Sequence, residues 1–122
     1  MERKLLTAVD DFTFFELDLE SGADTLLIVY GVTARAAKTA VAKIRDGGKT
    51  ISLLILKTLY PVPEVFLMDC ISRVKRVVMV EMNLGQYVRE IERLATSQSV
   101  THFGRMDGEL VSPEKIREVI GL

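Results

Sequence analysis

The stretch Val77-Val78-Met79-Val80-Glu81-Met82-Asn83-Leu84-Gly85-Gln86 decides how the chain is read. Its first four residues are apolar and mostly β-branched, as in a strand buried on both faces. The character then changes within one residue. Glu81, Asn83, Gly85 and Gln86 place a carboxylate, two carboxamides and a flexible backbone point where the strand should end. A helical pattern follows at once. Open α/β sheets put their sites where a strand ends in polar residues and feeds a helix. Glu81 could accept hydrogen bonds from a ligand, from a partner chain, or from the amides that open the next helix. Asn83 and Gln86 can each donate and accept. The local reading is that these side chains fix a strand–helix junction. A carboxylate without a paired acid or histidine is weak evidence for acid–base catalysis.

On the N-terminal side, Phe12–Glu20 alternates apolar and charged residues from Phe15, the period of a half-exposed strand whose charges suit a sheet edge. Ser21–Asp24 is a turn. Thr25–Tyr30 reads as a buried strand ended by Gly31, and Thr33 is placed to cap the helix that follows. In that helix Ala37, Ala40, Val41 and Ile44 share one face, with Arg35, Lys38 and Arg45 mostly on the other. Gly47-Gly48 stops it. Ile51–Leu56 is the next buried strand. Tyr60-Pro61-Val62-Pro63 forms an extended bend, and Pro63 is placed to begin a short helix carrying Val65, Phe66, Met68 and Ile71.

Beyond the opening stretch, a helix is expected from about Gln86 to Ala95, with Leu84, Val88, Ile91 and Ala95 inward. Ser99–Phe103 is a last short strand. Ser112-Pro113-Glu114 opens a final helix with a cap, a fixed φ and an acid near the positive end. An edge strand followed by four alternating strands and helices implies a three-layer α/β/α fold built on a mostly parallel sheet.

Composition narrows the function classes. The 122 residues fit one domain, with 48% hydrophobic residues and a net charge of −1 from 16 basic and 17 acidic side chains. That balance argues against nucleic acid as a partner. The apolar runs are too short to span a bilayer, and the start lacks a secretory h-region, so a cytoplasmic protein is expected. One cysteine, Cys70, and one histidine, His102, cannot make a disulfide, a cluster site or a histidine metal site, so no metal is expected. Cys70 reads as a buried small hydrophobe and His102 as a structural strand histidine.

The turn Tyr30-Gly31-Val32-Thr33-Ala34-Arg35 offers a weak anion cradle, with Gly31, Thr33 and Arg35 as cofactor-binding candidates. It lacks a dinucleotide or P-loop pattern, and the competing reading is an ordinary strand–helix turn. Arg73, Lys75 and Arg76 form a short basic cluster, either a solvated turn or a patch for phosphate groups such as those of coenzyme A. No set of residues here makes a complete active site, and no catalytic residue is assigned.

Several blocks carry a resemblance. They are Val29-Tyr30-Gly31-Val32-Thr33-Ala34-Arg35, Leu56-Lys57-Thr58-Leu59-Tyr60-Pro61-Val62-Pro63, Val80–Glu90 with its Glu-x-Asn-x-Gly-Gln junction, and Gly108–Ile116. Over about residues 12–122 the chain resembles the C-terminal domain of the alpha subunit of 2-oxoacid:ferredoxin oxidoreductases, which is related to the C-terminal domain of transketolase. Thr33 stands where that family often has serine. Residues 1–11 would be an N-terminal extension or linker remnant.

The resemblance implies a five-stranded sheet whose first strand is antiparallel. It implies a complete enzyme that decarboxylates a 2-oxoacid with thiamine diphosphate and magnesium. Electrons would pass through iron–sulfur clusters to ferredoxin, and the acyl group to coenzyme A. Other domains and subunits would bind those cofactors. This chain would be a non-catalytic piece, with Glu81, Asn83, Gly85 and Gln86 at a domain or subunit interface. The alternatives are a free-standing coenzyme A or nucleotide-binding module using Gly31–Arg35 and Arg73–Arg76, or a structural homodimer domain.

Overall fold

A computed structural model describes residues 15–57, 59–60, 62–82, 87–104 and 111–122. Its strands are β1 (Phe15–Asp18), β2 (Thr25–Tyr30), β3 (Ser52–Leu56), β4 (Arg76–Glu81) and β5 (Ser99–Gly104). Its helices are α1 (Thr33–Asp46), α2 (Glu64–Ser72), α3 (Val88–Leu94) and α4 (Pro113–Ile120). The strands form one sheet in the order β1-β3-β2-β4-β5, with β1 antiparallel to β3 and every other pair parallel. This is the expected three-layer fold. The charged strand takes the edge, where Glu16 and Asp18 meet Lys38 and Arg45.

The apolar runs are continuous because both sheet faces are covered. Leu26, Ile28, Leu54, Leu56, Val77 and Met79 point to one face and pack with Leu67, Ile71 and Ile91 of α2 and α3. Their neighbours Leu27, Val29, Leu53, Ile55, Val78 and Val80 point to the other and pack with Ala37, Val41, Ile44, Ile116 and Ile120 of α1 and α4. Successive strand residues face opposite sides, so a strand sandwiched between helices must be apolar at every position.

Element boundaries shift slightly from the sequence reading. Of the edge strand, Phe12–Phe14 lies outside the described residues. Pro63 caps α2 rather than beginning it. In α2 the buried side chains are Leu67, Cys70 and Ile71, while Val65 is 83% and Met68 48% exposed. The helix therefore presents apolar residues on two sides. Arg45 is not a solvent-face residue. Its guanidinium binds the Asp18 and Glu20 carboxylates at 3.0 Å and donates to the Ile51 carbonyl at 2.7 Å, clamping the end of α1 to the sheet edge. At the α1 C-terminus Gly48, not Gly47, carries the left-handed conformation, with φ +89°.

Candidate functional site

The helix after β2 lies on one face of the sheet and the helix after β4 on the other. β3 sits beyond β2, and β5 beyond β4 on the opposite side. The strand order thus reverses between β2 and β4, and the crevice at their carboxyl ends is the position where sheets of this type hold ligands. Tyr30 ends β2 and Glu81 ends β4. The parallel register pairs Thr25 with Arg76 and Ile28 with Met79, and its continuation sets Tyr30 beside Glu81.

Glu81 is fully buried. Its carboxylate accepts three hydrogen bonds and lies against a histidine nitrogen. Oε1 takes the Tyr30 hydroxyl at 2.7 Å and the Tyr87 amide at 3.3 Å. Oε2 takes the Val88 amide at 3.2 Å and lies 3.0 Å from Nε2 of His102. The two amides open α3, whose first N–H groups have no acceptor of their own, and a carboxylate is the natural partner there. His102 lies opposite Met79 in the β4–β5 register, which makes it the diagonal neighbour of Glu81 on the same face. One side chain therefore ties β2, β4, β5 and the start of α3 together.

The tie extends further. The Tyr87 hydroxyl donates to the Leu59 carbonyl at 3.1 Å, so the proline bend after β3 is fastened to α3. The rings of Tyr30 and Tyr60 meet that of Tyr87 edge-on, at 6.1 and 5.7 Å. Burial pushes the Tyr87 phenol up to about 12, with Tyr60 and Glu90 adding to the shift. Tyr30-Gly31, Leu59-Tyr60 and Glu81 belong to three separate sequence blocks, and they meet at this point.

Several expectations change here. Glu81 is not a lone carboxylate, because His102 and Tyr30 both bind it. Sequence separation hid those partners, and the strand register supplies them. Nor can Glu81 itself form an interface as it stands, since its side chain is sealed inside the fold. It serves the local reading, in which the acid receives the amides that open the next helix. Asn83, Gly85 and Gln86 lie outside the described residues, as does the inward position expected for Leu84. Thr33 does not cap α1. Val32 occupies the cap position, Thr33 is the first helical residue, and its Oγ1 is buried without a hydrogen-bond partner. Gly31 does end β2, with φ +64°.

The two halves of the alternative coenzyme A site are far apart. Gly31–Arg35 follows the carboxyl end of β2, whereas Arg76 lies beside Thr25 at its amino end, about 17 Å away along the strand. Arg73 is paired with Asp69 at 3.2 Å, and the Arg76 guanidinium lies 3.4 Å from the Thr25 hydroxyl. These residues do not make one pocket.

Among the described residues no three His, Cys, Asp or Glu side chains are grouped to hold a metal. Cys70 is buried, and desolvation, helped by Asp69, pushes its thiol up to about 12. It packs in the core as the small hydrophobe expected. Among the described residues no helix is long and apolar enough to cross a membrane.

A groove of about 720 Å³ lies between the starts of α1 and α4 and is lined by Gly31, Val32, Thr33, Arg35, Ser112 and Pro113, among others. All three cofactor-binding candidates, Gly31, Thr33 and Arg35, thus fall on one concave surface. The groove is separate from the Glu81 cluster.

Comparison with known proteins accords with this architecture. The chain is 36% identical over 101 residues to the 2-oxoglutarate synthase subunit KorA of Methanocaldococcus jannaschii, covering 81% of this chain and 27% of that protein. It is 32% identical over 111 residues to the ketoisovalerate oxidoreductase subunit VorB of Methanothermobacter thermautotrophicus, covering 88% and 32%. Thus it spans about a third of the length of the curated relatives it matches. Among solved structures, the 2-oxoglutarate:ferredoxin oxidoreductase from Magnetococcus marinus, with 2-oxoglutarate, coenzyme A and succinyl-CoA bound, shares the fold. Its TM-score is 0.81 at 21% identity, covering 94% of this chain and 20% of that one. A split-gene transketolase, an inactive beta4 tetramer, shares it at a TM-score of 0.71 and 18% identity, covering 88% and 40%. The sequence pattern of one family matches residues 23–116, from the turn before β2 into α4, and the chain therefore belongs to the pyruvate:ferredoxin oxidoreductase core domain II family.

Proposed function

We propose that this chain is the scaffold domain of a 2-oxoacid:ferredoxin oxidoreductase, the C-terminal part of its alpha subunit, with residues 12–122 as the domain and 1–11 as an N-terminal extension or linker remnant. The reading rests on one observation above all: the groups at the carboxyl end of the sheet are spent on one another. Glu81 accepts from three donors and lies against His102 Nε2, and the Tyr87 hydroxyl is held by the Leu59 carbonyl. A carboxylate committed in this way orients a helix and a bend and is poorly placed to move a proton to a substrate. Thiamine diphosphate, magnesium and iron–sulfur clusters are then bound by other parts of the enzyme. There a 2-oxoacid is decarboxylated, its acyl group passes to coenzyme A, and its electrons reach ferredoxin.

The domain's own work is packing. Tyr60, Val65 and Met68 expose large apolar surface on the bend and on α2. Such residues mark contact surfaces when they cluster. The matched relatives are about three times as long as this chain, so they have further domains to cover that face. Asn83, Gly85 and Gln86, which follow Glu81 in sequence, are taken as interface residues in this reading. The beta4 tetramer named for the transketolase structure of the same fold supports a second reading, self-association of this domain.

The test compares chain and enzyme. The chain alone should neither oxidise 2-oxoacids nor bind thiamine diphosphate. Glu81→Ala should impair folding or assembly while turnover per assembled enzyme persists. An assembled Glu81→Ala enzyme with turnover abolished would overturn the scaffold role. Light scattering that finds only monomer at high concentration would dispose of self-association.

A further inference from the structure

We propose that the outer edge of β5 is a self-pairing surface, along which two copies of this chain join antiparallel strands into one continuous sheet. This gives a surface to the self-association reading and rests on it.

β5 ends the sheet, with β4 on one side and no strand on the other. The β4–β5 register fixes which of its main-chain groups are used. Ser99 donates to the Lys75 carbonyl, so Ser99, Thr101 and Phe103 turn their N–H and C=O groups toward β4. Alternation turns those of Val100 and His102 outward. Among the described residues none bonds to either outward pair. His102 is exposed as a whole residue although only 27% of its side chain is, so its main chain faces solvent. The side chain itself is held inward on Glu81.

Sheet edges are ordinarily protected by shortness, charge, proline or a bulge. The opposite edge, β1, is four residues long and carries Glu16 and Asp18. β5 has none of these devices. It is six residues long and follows β4 residue for residue without a bulge. Ser99-Val100-Thr101-His102-Phe103-Gly104 contains no acid, lysine, arginine or proline.

A second copy fits this edge. A two-fold axis perpendicular to the sheet keeps each sheet face on its own side, so residues that meet must share parity. With Thr101 on the axis, Val100 lies opposite His102 of the second copy, and Ser99 opposite Phe103. Each Val100–His102 pair exchanges two bonds through the outward groups, about four in all. Thr101 meets its own copy at the close spacing of a non-hydrogen-bonded pair, where threonines pair favourably. No like charges come face to face. The same operation on β1 would set acid against acid, because Glu16 and Asp18 share one face. The cation over the β5 edge, Lys115 above Phe103, is already paired with Glu118.

Sedimentation equilibrium of the full chain between about 10 µM and 1 mM should show single chains giving way to pairs, with the weak affinity of a small interface. Over the same range, amide exchange at Val100 and His102 should slow by about threefold or more. Thr101→Cys should yield a disulfide-linked dimer under mild oxidation. Closely paired antiparallel residues lie within disulfide reach, and Cys70 is buried and does not compete. Thr39→Cys, exposed on α1, should stay unlinked. Thr101→Lys sets two like charges on the axis and should weaken pairing about tenfold or more, with the thermal midpoint of the dilute chain unchanged. If that variant misfolds, the exchange of the unaltered chain decides. Monomer alone up to about 1 mM overturns the edge pairing and the self-association reading together. A dimer with Val100 and His102 exchange unchanged and Thr101→Cys unlinked overturns the edge pairing alone, and puts self-association on another surface.

Discussion

Replacing Glu81 by alanine is the sharpest probe of this fold. The change removes the acceptor of three donors at once, the Tyr30 hydroxyl and the Tyr87 and Val88 amides, and the carboxylate that His102 Nε2 lies against. Each buried donor left without a partner costs about 1–3 kcal/mol, less where water enters the space vacated by the side chain. His102 is partly exposed, at 27% of its side chain, and can be rehydrated, whereas Glu81 itself is completely enclosed. The sum is about 4 kcal/mol, in line with the roughly 3–5 kcal/mol lost when one member of a buried ion pair is removed. Small domains have only about 5–15 kcal/mol in total. For a chain of this size about 4 kcal/mol corresponds to a drop of about 12–24 °C in Tm. Denaturant unfolding followed by far-UV circular dichroism measures the free energy, and calorimetry the midpoint. Glu81→Gln keeps the volume and one acceptor oxygen but turns an NH2 group toward existing donors, so it should fall between, near about 2 kcal/mol. Cooperative unfolding of the alanine variant with a loss under about 1 kcal/mol would refute the claim that this carboxylate organises the junction.

Four smaller effects follow from neighbouring geometry. Tyr30→Phe removes one donor to Glu81 and should cost about 1–2 kcal/mol, and a double-mutant cycle with Glu81→Ala should show coupling above about 0.5 kcal/mol. Gly31→Ala meets no atom within 4 Å but must adopt φ +64°, so a loss of about 1–2 kcal/mol with unchanged contacts is expected in denaturant unfolding. Ser112→Ala deletes the cap that accepts from the Lys115 amide and should cost about 1 kcal/mol, with faster amide exchange at the start of α4. Stability should fall as pH rises above about 9, the ordinary thiol range. The unfolded chain releases protons from Cys70 and then Tyr87, while the folded chain holds both until about 12. Unfolded chains then bind fewer protons than folded ones, which is the sign that lowers stability with rising pH. Cys70→Ala should shrink that decline, as read from denaturant midpoints at pH 8 and 10.5.

Much of the architecture was legible in the chain. Leu26–Val29 and Val77–Val80 are apolar at every position because helices cover both sheet faces, and a uniform run is the signature of that environment. The charged alternation of Phe15–Asp18 fixed it at an edge, and Ser112-Pro113-Glu114 marked a helix start through purely local chemistry.

Tertiary structure alone decided who meets whom. Nothing local pairs Glu81 with Tyr30, 51 positions away, or with His102 across β5; parallel register does so by setting strand ends side by side. Local pattern suggested that Thr33 would cap α1, and the backbone placed the cap one residue earlier, leaving the hydroxyl buried and unused. The face of α2 was ambiguous because Val65, Phe66, Leu67, Met68 and Ile71 are all apolar, and only docking onto the sheet selected Leu67 and Ile71 and left Val65 and Met68 outside. Composition and periodicity encode which environment a residue needs. The partners that supply that environment are fixed by strand order and register, which emerge only when distant segments pack.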